Sequence, residues 1–106
     1  MNNNEITVEE LKKKMDAKED FLLIDVREQR EKNISDIGGT LIPVNSIPMR
    51  FNELDKEKEI IIYCRTGARS GWATNFLLSA GFTNVKNLVG GIYAWSDKID
   101  KSVKKY

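Results

Sequence analysis

Ile60-Ile61-Ile62-Tyr63-Cys64-Arg65-Thr66-Gly67-Ala68-Arg69-Ser70 is the stretch on which the reading of this 106-residue chain turns. Three β-branched isoleucines and a tyrosine, with charge before them and Cys64 after, have the pattern of a buried strand. From Ser70 onward Ala73, Phe76, Leu77 and Ala80 repeat at helical spacing. Only a handful of residues join strand to helix, and Gly67 lets that loop turn tightly. A loop of this kind turns successive backbone N–H groups inward as an anion nest, and the positive end of the next helix points at the same spot. Arg65 and Arg69 add full charge nearby. Each factor favours thiolate over thiol, so Cys64 is expected to have a lowered pKa and to be nucleophilic. A lone cysteine at a strand end is otherwise a small buried hydrophobe; the nest and the arginines set this one apart.

Working outward, the same alternation of strands and helices recurs. Thr7-Val8-Glu9-Glu10 is a capping box, with Ile6 and Leu11 placed for a hydrophobic staple, and Val8, Leu11 and Met15 predict a helix over 8–16. Phe21-Leu22-Leu23-Ile24 reads as a buried strand ending at Asp25. A charged helical turn follows over 27–32. Leu41-Ile42-Pro43-Val44 reads as a second short strand, with Pro43 marking its end or a sheet edge. The helix after the loop ends at Gly81, with Phe82 placed to contact Leu77. A last strand is predicted over 85–89 and a last helix opens at Gly91. Apolar strands separated by helices imply an α/β fold with a mainly parallel sheet covered on both faces. Ligands in such sheets sit beyond the carboxyl ends of the strands, where Asp25, Cys64 and Gly90-Gly91 would share one rim.

Composition narrows the chemistry. The chain is 41% hydrophobic and 31% charged with a net charge of +1, which excludes intrinsic disorder. One domain of this length buries roughly 65% of its unfolded surface, enough for a real core. No apolar run is long enough to span a bilayer, and the start of the chain lacks the basic and apolar segments of a secretory leader. There is no histidine, so serine triads, Cys-His dyads and histidine-based metal sites are excluded, and one cysteine makes neither an internal disulfide nor a cysteine-built zinc site. A cytoplasmic domain without metal or organic cofactor is expected. Residues 60–96 contain no aspartate or glutamate but include Arg65, Arg69 and Lys86. That reads either as buried secondary structure, where charge is scarce, or as a positive field for a small anion. No basic run is interleaved with aromatics, so nucleic acid is not an expected partner.

Several ordered segments together resemble one family. Asp25-Val26-Arg27-Glu28, the Cys64–Ser70 loop, Gly81-Phe82-Thr83-Asn84-Val85 and Asn87-Leu88-Val89-Gly90-Gly91-Ile92-Tyr93-Ala94-Trp95 look like a single-domain rhodanese, a resemblance covering about 6–99. It implies a five-stranded parallel sheet flanked by helices and a rhodanese-like domain over 5–99, while the polar lead and the Lys/Asp-rich tail read as flexible termini over 1–4 and 100–106. It implies sulfur transfer: the cysteine takes sulfane sulfur from a small donor such as thiosulfate, carries it as a persulfide and passes it to cyanide, a thiol or a sulfur-carrier protein. Cys64 would be the carrier, with the backbone amides of Arg65, Thr66, Gly67, Ala68 and Arg69 cradling the outer sulfur. Many members carry a histidine in a Gly-His-Ile-Pro-Gly segment, where this chain has Ile34-Ser35-Asp36-Ile37-Gly38-Gly39, and Gln29 replaces a common proline. The variant, followed by Leu41-Ile42-Pro43, is similar to rhodanese domains attached to adenylyltransferases that activate sulfur-carrier proteins. A sulfur-carrier protein or an adenylyltransferase is therefore an expected partner.

Supporting roles stay open at this level. Asp25 either orients the loop, by accepting amides or pairing with an arginine, or caps the next turn. Arg27 and Glu28 read as an ion pair or a surface turn, and Ser70 as part of the loop's support. Trp95 reads as a core anchor. Trp72 reads as buried or as lining a pocket mouth. Gly90-Gly91 would allow close backbone approach beside the loop. Two other classes fit less well. A silent binding module would not need an intact cationic cysteine loop. Cysteine phosphatases and arsenate reductases also place cysteine in an anion-binding loop before a helix, but theirs is one residue longer than the Cys64–Arg69 spacing. The shorter loop suits a single sulfur atom and crowds a tetrahedral oxyanion. The unmodified chain should therefore hydrolyse aryl phosphates negligibly, and robust phosphatase turnover would contradict the loop-length reading.

Overall fold

The computed structural model describes residues 4–106 and shows a five-stranded, wholly parallel sheet. In chain order the elements are β1 (Glu5–Ile6), α1 (Val8–Asp16), β2 (Leu22–Asp25), α2 (Gln29–Ile34), β3 (Thr40–Leu41), α3 (Ile47–Arg50), β4 (Ile60–Tyr63), α4 (Ala68–Ser79), β5 (Val85–Leu88) and α5 (Gly91–Lys98). Single 3-10 turns at Val44–Ser46 and Phe51–Glu53 flank α3. Across the sheet the strands run β1-β5-β4-β2-β3, so β4 is central and delivers Cys64 to the middle of the carboxyl-end rim.

Residues of β4 point alternately to opposite faces, as strand geometry requires. Ile60 and Ile62 join Ile24, Ala73 and Leu77 in the core under α4. Ile61 and Tyr63 join Leu11, Leu88, Ile92 and Trp95 under α1 and α5. The second core fixes α1, whose Thr7 cap accepts from the Glu10 amide while Glu10 accepts from the Thr7 amide. Trp95 is buried there as a core anchor. At the end of α4 the Phe82 amide donates to the Leu77 carbonyl, closing the helix as the Gly81-Phe82 pair predicts.

Three sequence expectations need correction. The second strand is shorter than 41–44: it comprises Thr40–Leu41, because Pro43 has no N–H to give the ladder, although the Ile42 and Val44 amides still donate to Asp25 and Val26. Helix α4 starts at Ala68 rather than Ser70 and leaves Phe76 and Ala80 only half-buried. Asn4 and residues 100–106, read from the sequence as flexible, touch the fold at several points. The Asn4 carbonyl accepts from the Asn87 amide, and Val103 and Tyr106 pack on the second core. The remainder of the expected N-terminal flexible segment, 1–3, lies outside the described residues.

The third correction concerns Arg27, which makes neither a surface turn nor a pair with Glu28. Its side chain is fully buried and its charge is met by Asp25. All five guanidinium N–H donors find acceptors: Asp25 takes two, and the Glu31 carbonyl, the Ser35 carbonyl and the Tyr106 hydroxyl take the rest. Asp25 also accepts from the Arg27 amide at 3.0 Å, and the Tyr63 hydroxyl lies 3.1 Å from its Oδ2. Asp25 thus pairs with Arg27 rather than with an arginine of the Cys64 loop, and the amide it accepts lies before α2, whose cap is Glu28. Removing one partner from such a buried pair leaves an uncompensated charge, at a cost of about 3–5 kcal/mol. Arg27→Met should lower unfolding stability by that order in urea titrations. Pairing it with Asp25→Leu should recover much of the loss, because the stranded carboxylate is gone.

Candidate active site

The site is built where β4 hands the chain to α4. Gly67 stands at the helix start with φ of +116°, a left-handed conformation that a side chain would strain, and no side chain caps the helix. The sulfur of Cys64 fills that role. It accepts from the Gly67 amide at 3.1 Å and the Ser70 amide at 3.4 Å, and the Ser70 hydroxyl lies 3.3 Å away. Burial pushes the Cys64 thiol up, but the Ser70 hydroxyl and the amides of Ser70, Gly67 and Thr66 together bring it below the ordinary thiol value. The lowered pKa expected from the sequence thus has hydrogen bonds as its leading source.

Both arginines are already engaged. Arg69 makes a two-pronged ion pair with Glu31, both N–O distances being 2.7 Å. Arg65 donates to the Tyr93 hydroxyl at 2.7 Å from Nη2, and its guanidinium lies 5.0 Å from the Tyr93 ring centre and 5.3 Å from that of Tyr106. Arg65, Thr66 and Ala68 are exposed on the rim, while Ser70 is buried beneath it. The loop therefore presents its exposed edge to solvent and keeps its amides on the sulfur.

From the other side, β5 and α5 hold the loop in place. Asn87 donates from Nδ2 to the Gly67 carbonyl at 3.2 Å and accepts from the Ser70 hydroxyl at 2.5 Å. A Cβ on Gly91 would lie 2.4 Å from the Cys64 carbonyl oxygen, so only glycine admits this approach, as the Gly90-Gly91 pair predicts. The Ile92 and Tyr93 amides then bond the carbonyls of Cys64 and Arg65. Asp25 and Arg27 stand on the same rim but are committed to each other, and no hydrogen bond joins either to the sulfur. Beside the loop an open groove of about 580 Å³ is lined by Val44, Asn45, Pro48, Ala68, Arg69 and Trp72. Trp72, half exposed, forms its wall and stacks on Phe76. Among the described residues, no three His, Cys, Asp or Glu side chains come together as a metal-binding group.

Sequence reasoning assigned no role to Glu31, Tyr93, Tyr106 or Asn87. Asn87 left a signal, being an asparagine, a residue depleted in strands, within β5. Glu31 and Tyr106 left none, because their contacts depend on long-range packing.

A central parallel strand ending in a cysteine whose sulfur caps the next helix defines a class: an α/β domain with a thiol poised for group transfer. The family follows directly. Residues 7–98 match the rhodanese-like domain model, and the chain belongs to that family. It is 42% identical over 94 residues to a sulfurtransferase of Allochromatium vinosum, covering 88% of each chain. It is 37% identical to the putative sulfur carrier protein YrkF of Bacillus subtilis, of which it spans 52%. Adenylyltransferase/sulfurtransferase fusions are also relatives, and the chain spans about a quarter of one from Mycobacterium tuberculosis. A rhodanese-like domain protein of Staphylococcus aureus superposes with a TM-score of 0.82 at 29% identity, covering 97% of this chain and 98% of that one. The chain is thus an enzyme domain of the sulfurtransferase type.

Glu31 links α2 to α4 and has a consequence for acid stability. The Arg69 guanidinium, opposed by burial and aided by the Glu28 backbone and the Tyr106 hydroxyl, lowers its pKa to about 2. A carboxylate lowered in the folded state stabilises above its unfolded pKa, near 4.5, and loses that contribution as pH falls toward about 2. The contribution is on the order of 3 kcal/mol. Glu31→Gln should therefore be less stable at pH 7 and show a flatter loss of stability between about pH 5 and 2, read by thermal unfolding.

Proposed function

We propose that the chain moves sulfane sulfur from a small anionic donor, thiosulfate being the simplest, through a persulfide on Cys64. The single observation that carries this reading is the ring of loop amides and the Ser70 hydroxyl around the Cys64 sulfur. The Cys64 thiolate attacks the outer sulfur of thiosulfate. A Cys64 S–S bond forms, the S–S bond of thiosulfate breaks, and sulfite leaves with the electron pair. An acceptor nucleophile then attacks the outer sulfur of the persulfide, and the Cys64 thiolate leaves. Amides of the Arg65–Arg69 segment hold the negative charge of the outer sulfur, as preorganised donors do for developing anions. Arg65, stacked against Tyr93 and Tyr106, sets a positive edge for the incoming donor beside the Glu31-paired Arg69, and Asp25, Arg27 and Ser70 support the loop. A reducing compartment, the cytoplasm, suits a lone nucleophilic thiol.

For the acceptor, we infer a sulfur-carrier protein adenylated at its C-terminus. The outer persulfide sulfur attacks the acyl carbon, and AMP leaves. Two equivalents of a small thiol then cleave the resulting Cys64 acyl disulfide, releasing the thiocarboxylate and the Cys64 thiolate as the thiols become a disulfide. Cyanide and small thiols instead attack the outer sulfur directly. The groove beside Arg69 and Trp72 offers room for a chain terminus next to the sulfur. Relatives named as a sulfur carrier and as adenylyltransferase fusions support the same reading. Attraction between the cationic edge and an acidic or adenylated terminus should weaken with salt.

Intact-mass spectrometry after incubation with thiosulfate should show the gain of one sulfur atom, its loss to cyanide, and neither change in Cys64→Ala. No adduct with any sulfane donor would favour a binding module. In steady-state assays, Arg65→Ala should raise KM for thiosulfate while leaving stability nearly unchanged. Arg69→Ala should raise KM together with a stability loss that Glu31→Gln in the same chain relieves. Unchanged donor kinetics in the double arginine variant would make these arginines purely structural. Labelled sulfur loaded on Cys64 should pass to a carrier thiocarboxylate at low salt when the activating enzyme is supplied. Movement only to cyanide or small thiols would indicate a detoxifying role instead.

A further inference from the structure

The hydrogen-bond inventory at Ser70 has one proton for two claimants. Asn87 Nδ2 donates to the Gly67 carbonyl, and its Oδ1 lies 2.5 Å from Ser70 Oγ. The amide has one workable orientation, because turning it over would set Oδ1 against the Gly67 carbonyl, two acceptors without a proton between them. Oδ1 therefore faces Ser70, and an amide oxygen only accepts. The single hydroxyl proton of Ser70 lies on the Asn87 side, leaving Oγ lone pairs turned toward the sulfur 3.3 Å away. A thiol can donate its proton into those lone pairs. A thiolate cannot, so once Cys64 loses its proton to water, the hydroxyl must swing from Asn87 to the sulfur.

We propose that Asn87 is a positioning residue that parks the Ser70 hydroxyl proton away from Cys64 whenever the sulfur bonded to Cβ is uncharged. Resting on the persulfide reading above, the proton stays with Asn87 in the thiol and in the persulfide, whose charge sits on the outer sulfur. It turns to the inner sulfur only when that atom is a thiolate, as nucleophile before sulfur uptake and as leaving group after sulfur delivery. The hydroxyl then stabilises charge where it develops and is withheld where it does not.

The charged and titratable groups of the loop and of the elements packed around it are Arg65 in the loop, Arg69 on α4, Glu31 on α2, the Asp25–Arg27 pair after β2, Tyr63 on β4, Tyr93 on α5 and Tyr106. Substitutions at Asn87 and Ser70 leave all of them in place. Cys64 is the only cysteine, so its alkylation by iodoacetamide as a function of pH reads the thiolate without ambiguity. Asn87→Ala should free the hydroxyl for the thiolate and move the alkylation midpoint down by on the order of one pH unit, the scale of one hydrogen bond to a charged group. Ser70→Ala should raise the midpoint more in the Asn87→Ala background than in the wild type. Loss of the Gly67 contact is common to both members of that background, so the cycle cancels any loosening of the loop it causes. An equal shift from Ser70→Ala in the two backgrounds would overturn the proposal. Alkylation requires no sulfur transfer, so this result stands apart from activity on thiosulfate.

Discussion

Helix α4 begins without a side chain of its own to accept its first amides, and the sulfur of Cys64 takes their place. The remaining features of the site follow from that constraint. For the sulfur to reach the helix axis, β4 must end one residue before Cys64 and the chain must turn left-handed at Gly67. For the loop to stay closed, β5 must place Asn87 against the Gly67 carbonyl, and α5 must bring its backbone close enough that only glycine fits at position 91. The same contacts that complete the helix favour negative charge on the sulfur. Structural capping and chemical activation are one set of hydrogen bonds.

A second network keeps other charges from disturbing the first. Asp25 lies on the same rim as Cys64, and a free carboxylate there would oppose ionisation of the thiol. Its oxygens are instead taken by Arg27 and Tyr63. Arg27 in turn binds the Glu31 carbonyl and the Tyr106 hydroxyl, and Glu31 holds Arg69 at the start of α4. A continuous line of polar contacts therefore runs from the end of β2 to α4. A buried ion pair contributes little net stability over apolar packing, so the value of this line lies in fixing geometry.

The parts of this arrangement legible in the sequence are those with local causes. The capping box at Thr7, the isoleucine run before Cys64 and the Gly81-Phe82 helix stop each rest on neighbours within a few residues, and each takes the conformation its pattern implies. The rim shared by Asp25, Cys64 and Gly91 was legible because parallel strands present their ends together. The two-residue strand β1 was not, since its pairing with β5 is long-range and its pattern too short to read. The arginines were read as free charge, whereas Glu31 and Tyr93, far away in sequence, neutralise or stack on them. Tyr106 escaped notice for the same reason: a Lys-rich tail looks solvated until the buried guanidinium that needs its hydroxyl is known.

The claim at the centre of this account is that the loop amides hold a transferred sulfur at the start of α4. A crystal structure of the thiosulfate-treated protein tests it most directly. The account predicts one additional sulfur bonded to Cys64 Sγ and lying inside the loop, within hydrogen-bond distance of its backbone amides. An added sulfur directed into solvent away from those amides, or a Cys64 left unmodified while sulfur is found on another group, would contradict it.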